Sequence, residues 1–189
     1  MENRKRISIR SIAYTALFVA LLAVCAWIAI PFTVPFTLQS FAVFAASGLL
    51  GWKRGVMAVC VYILLGALGL PVFSNFTGGA GVLLGTTGGY ILGFVAAAFA
   101  SGLIMDRFGR RMPVMLFSML AGLVLCYAFG TAWFISVYTR TQSAIGVFAA
   151  LSWCVFPFIL PDMAKIVLAA LITKRLFKRL SLRLDQGAA

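Results

Sequence analysis

Two charged side chains, Asp162 and Lys165, interrupt an apolar stretch near the end of the chain, Phe156-Pro157-Phe158-Ile159-Leu160-Pro161-Asp162-Met163-Ala164-Lys165-Ile166-Val167-Leu168. An ion among lipid tails costs at least about 2.5 kcal/mol, so such a group normally faces a protein interior and has a partner. Three residues apart on a helix, the two side chains share one face. A carboxylate only accepts hydrogen bonds, so Asp162 suits a neutral ligand bearing N–H groups. The ammonium of Lys165 only donates, and suits a carbonyl or a carboxylate. The same residues also fit a structural ion pair that neutralises itself, although such pairs add little stability over apolar packing.

The rest of the chain offers no catalytic partner for them. There is no histidine, and the acids are Glu2, Asp106, Asp162 and Asp185. An intramembrane serine protease would lack its usual base, and an aspartyl protease would lack a second carboxylate at membrane depth. No G-x-x-x-x-G-K-[ST] phosphate loop occurs. Cys25, Cys60, Cys126 and Cys154 stand alone in apolar segments without metal-ligand spacing, as small packing residues do. The expectation is a binding protein rather than an enzyme, with no metal and no cofactor.

Composition says where the binding would happen. Of 189 residues 63% are hydrophobic and 11% charged, and mean hydropathy is +1.06. Soluble domains are about half apolar and a quarter charged, so the chain reads as an integral membrane protein. The net charge of +12 would suit nucleic acid, but its distribution argues otherwise. Fourteen of the 16 basic residues fall in four tracts: Arg4, Lys5, Arg6 and Arg10; Lys53 and Arg54; Arg107, Arg110 and Arg111; and Lys174, Arg175, Lys178, Arg179 and Arg183. Each tract flanks an apolar run, as cytoplasmic loops do under the positive-inside rule. Membrane lipid, not nucleic acid, is the expected surrounding.

Six helices at about 20 residues each would use the length in one all-α domain covering 1–189, with a basic segment at 1–10 and a tail at 181–189. Expected spans are 11–30, 38–50, 55–70, 89–105, 113–138 and a last one from near Pro161 to the basic tract at 174–179. A short helix at 144–156 lies near the outer surface, and Pro157 and Pro161 break the backbone before the last span. Six crossings put both termini, and all four basic tracts, in the cytoplasm. On that count Asp162 falls in the first turn of its helix, where backbone N–H groups favour a negative charge.

Residues 66–89, between the third and fourth spans, hold eight of the 18 glycines. Glycine allows sharp bends and close approach, and the segment is too apolar for an ordinary aqueous loop. Irregular backbone at membrane depth is tolerated where protein buries it or a cavity wets it. A loop that caps a ligand and a packed outer connector both fit.

Several motifs in order carry a resemblance: Pro35-Phe36-Thr37-Leu38-Gln39, Gly66-Ala67-Leu68-Gly69-Leu70-Pro71-Val72-Phe73, Gly78-Gly79-Ala80-Gly81, Leu84-Gly85-Thr86-Thr87-Gly88-Gly89-Tyr90, and Pro157-Phe158-Ile159-Leu160-Pro161-Asp162-Met163-Ala164-Lys165. Over roughly residues 10–180 the chain resembles the BioY family, the biotin-binding S subunits of energy-coupling-factor (ECF) transporters. It departs from the family's pattern at Thr86 and Pro161, where proline and glycine are usual. The resemblance implies biotin as transported ligand, with Asp162 accepting a ureido N–H and Lys165 balancing its charge and donating to a ligand oxygen. Tyr90 would pack on the bicycle, Phe73 would supply apolar wall, Gln39 would touch the ligand from a lid, and Gly78, Gly79, Gly88 and Gly89 would let the loop close; by residue type alone Tyr90 equally fits an interfacial aromatic, Phe73 packing and Gln39 a solvated loop. It also implies a transmembrane coupling subunit and two ATP-binding cassette ATPases as partners in a bacterial plasma membrane.

Ala13, Ala16, Ala20 and Ala23 form a small-residue stripe on the first helix, and such stripes allow close helix approach in lipid. The resemblance makes Ala16 and Ala20 the face that docks the coupling subunit, while packing inside the bundle explains the spacing equally well. A solitary biotin carrier and a membrane scaffold without ligand are the remaining readings of the whole chain.

Overall fold

The computed structural model describes residues 9–31 and 34–185, with side chains described through residue 177. The chain forms helices α1 (Ile9–Trp27), α2 (Gln39–Leu50), α3 (Trp52–Ala67), α4 (Ala80–Leu84), α5 (Gly88–Phe108), α6 (Met112–Thr141), α7 (Val147–Cys154) and α8 (Phe156–Asp185). A 3-10 turn, Ser74–Phe76, lies between α3 and α4. Arg4, Lys5, Arg6 and Glu2 of the basic N-terminal segment, and the last four residues of the tail, lie outside the described residues.

Among the described residues, four helices are long and apolar enough to cross a bilayer: Ile9–Trp27, Gly88–Phe108, Met112–Thr141 and Phe156–Phe177. The chain is a multi-pass membrane protein. Two helices expected to cross are shorter, α2 with 12 residues and α3 with 16. At 1.5 Å per residue α2 covers about 18 Å of a hydrocarbon core about 30 Å thick.

The position of α2 explains its length. Eleven of its residues are buried, and it packs against α1, α3, α5, α6 and α8. A helix apolar on all sides belongs in a protein interior. Its polar residues therefore need partners from the surrounding helices. Ser47 and Ser101 bond hydroxyl to hydroxyl at 2.9 Å between α2 and α5.

Small residues bring the helices this close. A Cβ on Gly102 of α5 would lie 2.6 Å from the Trp52 Cα at the start of α3. Gly130 of α6 leaves no room for a side chain because the Tyr90 ring of α5 lies flush against it. Association in lipid depends on such packing, since apolar burial alone gains little there.

The basic turns are tied to one another. Asp106, near the end of α5, accepts the Trp52 backbone N–H at 3.0 Å and pairs with Arg110. Arg110 Nε donates to the Gly48 carbonyl at 2.8 Å, and its guanidinium lies 4.0 Å from the centre of the Phe177 ring. One arginine thus bridges the ends of α2, α5 and α8.

Two expected boundaries move. The first helix stops at Trp27, because Ala29 and Ile30 pair as a strand (β1) with Phe36 and Thr37 (β2), Ala29 opposite Thr37. Phe32 and Thr33, inside the expected outer turn, lie outside the described residues. The last helix begins at Phe156, not near Pro161, and both prolines lie within it. Pro157 occupies the first turn, whose N–H groups have no partner in the helix in any case. Pro161 forgoes one further backbone bond, and surrounding protein tolerates that inside a membrane helix. Asp162 consequently sits in the second turn, away from the N–H groups of the helix end. Side chains, not the helix terminus, hold its charge.

A buried charge pair lining a cavity

Asp162 and Lys165 are 5% and 6% exposed, and their side chains meet at 2.7 Å between Nζ and Oδ1. The carboxylate has two further donors from other helices. Ser40, in the first turn of α2, donates to Oδ1 at 2.9 Å, and the Tyr127 hydroxyl of α6 donates to Oδ2. Lys165 is equally enclosed. It donates to the Thr37 backbone carbonyl at 2.6 Å and lies 4.0 Å from the centre of the Phe36 ring, with Phe36 stacked on Phe158 at 5.9 Å. Charge-assisted hydrogen bonds and a cation–π contact together replace the water that both ions have lost.

This cluster forms part of the wall of a cavity. Thr37, Gln39, Ser40, Tyr127, Asp162 and Lys165 give it one polar side. Ile91, Phe94, Leu123 and Phe158 add apolar lining, and Tyr90 adds an aromatic ring. The Tyr90 hydroxyl bonds that of Thr131 at 2.9 Å, which fixes the ring. Gln39 donates to the Tyr62 hydroxyl at 2.7 Å, and Tyr62 donates to the Val72 carbonyl at 3.0 Å. That chain links the polar start of α2 to the segment after α3.

The structure brings four of the expected site residues to the cavity: Asp162, Lys165, Tyr90 and Gln39. Phe73, Gly78, Gly79, Gly88 and Gly89 are not among the residues lining it. Phe73 is fully buried, edge-on to Tyr62 at 5.6 Å and packed flat on Gly66. Gly78 lies against the Leu70 carbonyl, Gly88 against the Leu83 backbone and Gly89 against the Trp133 side chain. Gly79 has φ +100°, a left-handed conformation that side chains resist. Ser40 and Tyr127 are hydrogen-bond partners of Asp162 that sequence reasoning missed. A polar residue in an apolar run is the available signal for Tyr127, and nothing in spacing ties it to Asp162.

On α1, Ala16 and Ala20 lie on the exposed face, as does Ala13, whereas Ala23 is buried. The two alanines are not packed inside the bundle.

A family model described as the BioY family matches residues 1–182. The chain belongs to the BioY family. Among its BioY relatives, the biotin transporter BioY of Thermotoga maritima is 45% identical over 170 residues, covering 89% of this chain and 96% of its own. The probable biotin transporter BioY of Pyrococcus horikoshii is 39% identical, covering 88% and 96%. The biotin transporter BioY of Rhodobacter capsulatus is 37% identical, covering 87% and 92%. A crystal structure of the S-component for biotin from an ECF-type ABC transporter matches with a TM-score of 0.80 and 27% identity, covering 94% of this chain and 95% of that one. These BioY relatives carry the names of transporters, not of enzymes.

The pair also makes a testable statement about stability. Removing one partner of a buried ion pair typically costs about 3–5 kcal/mol, whereas exchanging both for apolar residues can be close to neutral. Asp162→Leu and Lys165→Met should each lower the thermal unfolding midpoint in detergent. The double variant should recover part of the loss. A double variant that melts at the sum of the two single losses would show that the residues do not depend on each other.

Proposed function

We propose that this chain is the biotin-binding S subunit of an ECF-type transporter in a bacterial plasma membrane. It captures biotin from the outer side and delivers it to the cytoplasm. Partner ATPases supply the energy through a transmembrane coupling protein. The observation that carries the reading is the Asp162–Lys165 pair at the wall of a cavity otherwise lined largely by apolar and hydroxyl side chains. Biotin matches that lining: a ureido ring with two N–H donors and a carbonyl, an apolar thioether ring, and a carboxylate tail. Asp162 accepts a ureido N–H. Lys165 balances the charge and, with a third donor beyond its bonds to Asp162 and the Thr37 carbonyl, donates to a ligand oxygen. Tyr90 packs on the rings, Gln39 closes the polar side, and the segment bearing Phe73, Gly78, Gly79, Gly88 and Gly89 covers the site from outside.

The chain acts as a single transmembrane unit over 1–189. The four long helices together with α2 and α3 make six crossings, with both termini cytoplasmic. The basic tracts support this orientation, since Lys53, Arg54, Arg107, Arg110, Arg111, Lys174 and Arg175 then share one side. Ala16 and Ala20 dock the coupling subunit, which binds two ATP-binding cassette ATPases. Their exposure on α1 supports that role. A solitary biotin carrier would need the same site without the docking face, and a scaffold would need neither.

Ligand binding decides between these readings. Purified protein should bind biotin and not thiamine or riboflavin in a calorimetric titration. Asp162→Ala removes a buried charged partner, a change worth about 2–5 kcal/mol, and should weaken biotin roughly 30-fold or more. Near-unchanged affinity in the folded variant would remove Asp162 from the site.

Docking is tested by Ala16→Trp and Ala20→Trp. Either should block co-purification with the coupling subunit by steric clash, and biotin binding should persist. Loss of biotin with the partner retained would assign the stripe to the fold instead.

Topology has its own measurement. In a background with the four cysteines replaced, Ala80→Cys should react with a membrane-impermeant thiol reagent in intact cells, and Arg111→Cys only after the membrane is opened. Outside labelling of Arg111→Cys would overturn the orientation.

A further inference from the structure

Asp162 has three hydrogen-bond donors among the described residues, and they are divided unequally. Oδ1 receives both Ser40 and Lys165, at 2.9 and 2.7 Å, while Oδ2 receives only Tyr127. A carboxylate has about four acceptor positions, two per oxygen. Oδ1 is therefore filled by the fold, and one position stays open, on Oδ2. Asp162 and Tyr127 both line the cavity.

The donor on Oδ2 comes from a helix that supplies neither donor on Oδ1. Ser40 and Lys165, on α2 and α8, both bond Oδ1 and line the cavity beside it. Tyr127 comes from α6, half-buried at the cavity wall between buried Cys126 and the exposed Ala128. Its hydroxyl occupies one side of Oδ2 and so fixes the direction in which the other lone pair points. Without that hydroxyl the carboxylate could turn about its terminal torsion, a soft two-fold rotation, or take a second ligand donor.

We infer that Tyr127 is a positioning residue that leaves Asp162 one acceptor position facing the cavity, so that Asp162 engages a single N–H of a cyclic urea and not both. This rests on the reading of Asp162 as the ureido acceptor. The second ureido N–H then finds its partner elsewhere on the wall. Tyr127 contributes to affinity through the carboxylate, not through packing on the ligand. The site becomes directional: it tells the two faces of a nearly symmetric urea apart by which N–H meets Oδ2.

A chemical double-mutant cycle separates this role from a structural one. The probes are biotin and its two lactam analogues, each with one ureido N–H replaced by CH₂. The proteins are the purified full chain, Tyr127→Phe and Asp162→Ala, with calorimetry or competition giving Kd and circular dichroism confirming the fold. Hydrogen bonds to a charged group are worth about 1.5–3 kcal/mol, so Tyr127→Phe should weaken biotin about tenfold or more. One lactam should bind wild type poorly and lose less than about threefold further in Tyr127→Phe, because the N–H that Tyr127 serves is already gone. The other lactam should show the full loss, as biotin does. Equal losses for all three ligands would make Tyr127 a packing residue and overturn the inference. Loss of coupling for both lactams would show that Asp162 takes both N–H groups, and would overturn the single position. Wild-type biotin binding by Asp162→Ala would refute the underlying reading of Asp162 itself, whereas weak binding there with equal losses in Tyr127→Phe refutes only the role of Tyr127.

Discussion

A carboxylate and an ammonium held away from water inside a membrane protein constrain everything packed around them. Each ion must find, in protein, the polar contacts it had in solvent. Asp162 takes them from Ser40, Tyr127 and Lys165; Lys165 takes them from Asp162, the Thr37 carbonyl and the face of Phe36. These partners come from α2, α6, α8 and strand β2. Four parts of the chain are therefore required to meet at one point. Moving any of them away would leave an ion short of a contact.

That requirement accounts for α2. A helix of 12 residues covers only part of the hydrocarbon core, but it delivers Gln39 and Ser40 to the depth at which Asp162 lies. Its apolar remainder is covered on all sides by other helices, as its burial demands. The polar contacts continue from Gln39 through Tyr62 to the Val72 carbonyl. The cavity wall and the connection after α3 are parts of one hydrogen-bonded chain.

How far this was legible in the sequence depends on the kind of signal. Asp162 and Lys165 stand out because charge is scarce and their spacing puts them on one helix face. The long helices follow from apolar run length, which a bilayer makes unambiguous. The burial of α2 does not follow, because a short apolar run fits a core helix and a truncated span alike. Ser40 and Tyr127 were hidden for another reason. They reach Asp162 across 122 and 35 residues, and helix crossing, not spacing, sets such contacts. The glycine-rich segment was only half legible. Glycine announces close approach without saying to what, and here Gly88 approaches Leu83 and Gly89 approaches Trp133, outside the cavity lining. Proline misled at the last helix, since Pro157 and Pro161 read as breaks yet both sit inside α8.

The bond from Lys165 to residue 37 ends on a main-chain carbonyl, at 2.6 Å, and not on the threonine hydroxyl. Every amino acid has that carbonyl. Alanine at position 37 would delete the hydroxyl and its bonds to Gln39 and leave the tether intact, so a side-chain survey would not register it. What holds the strand to the ammonium is the path of the backbone, and only a change that displaces the path, such as an inserted or deleted residue between β1 and β2, would release it. The tether therefore constrains where the backbone of residue 37 runs, and not which side chain that residue carries.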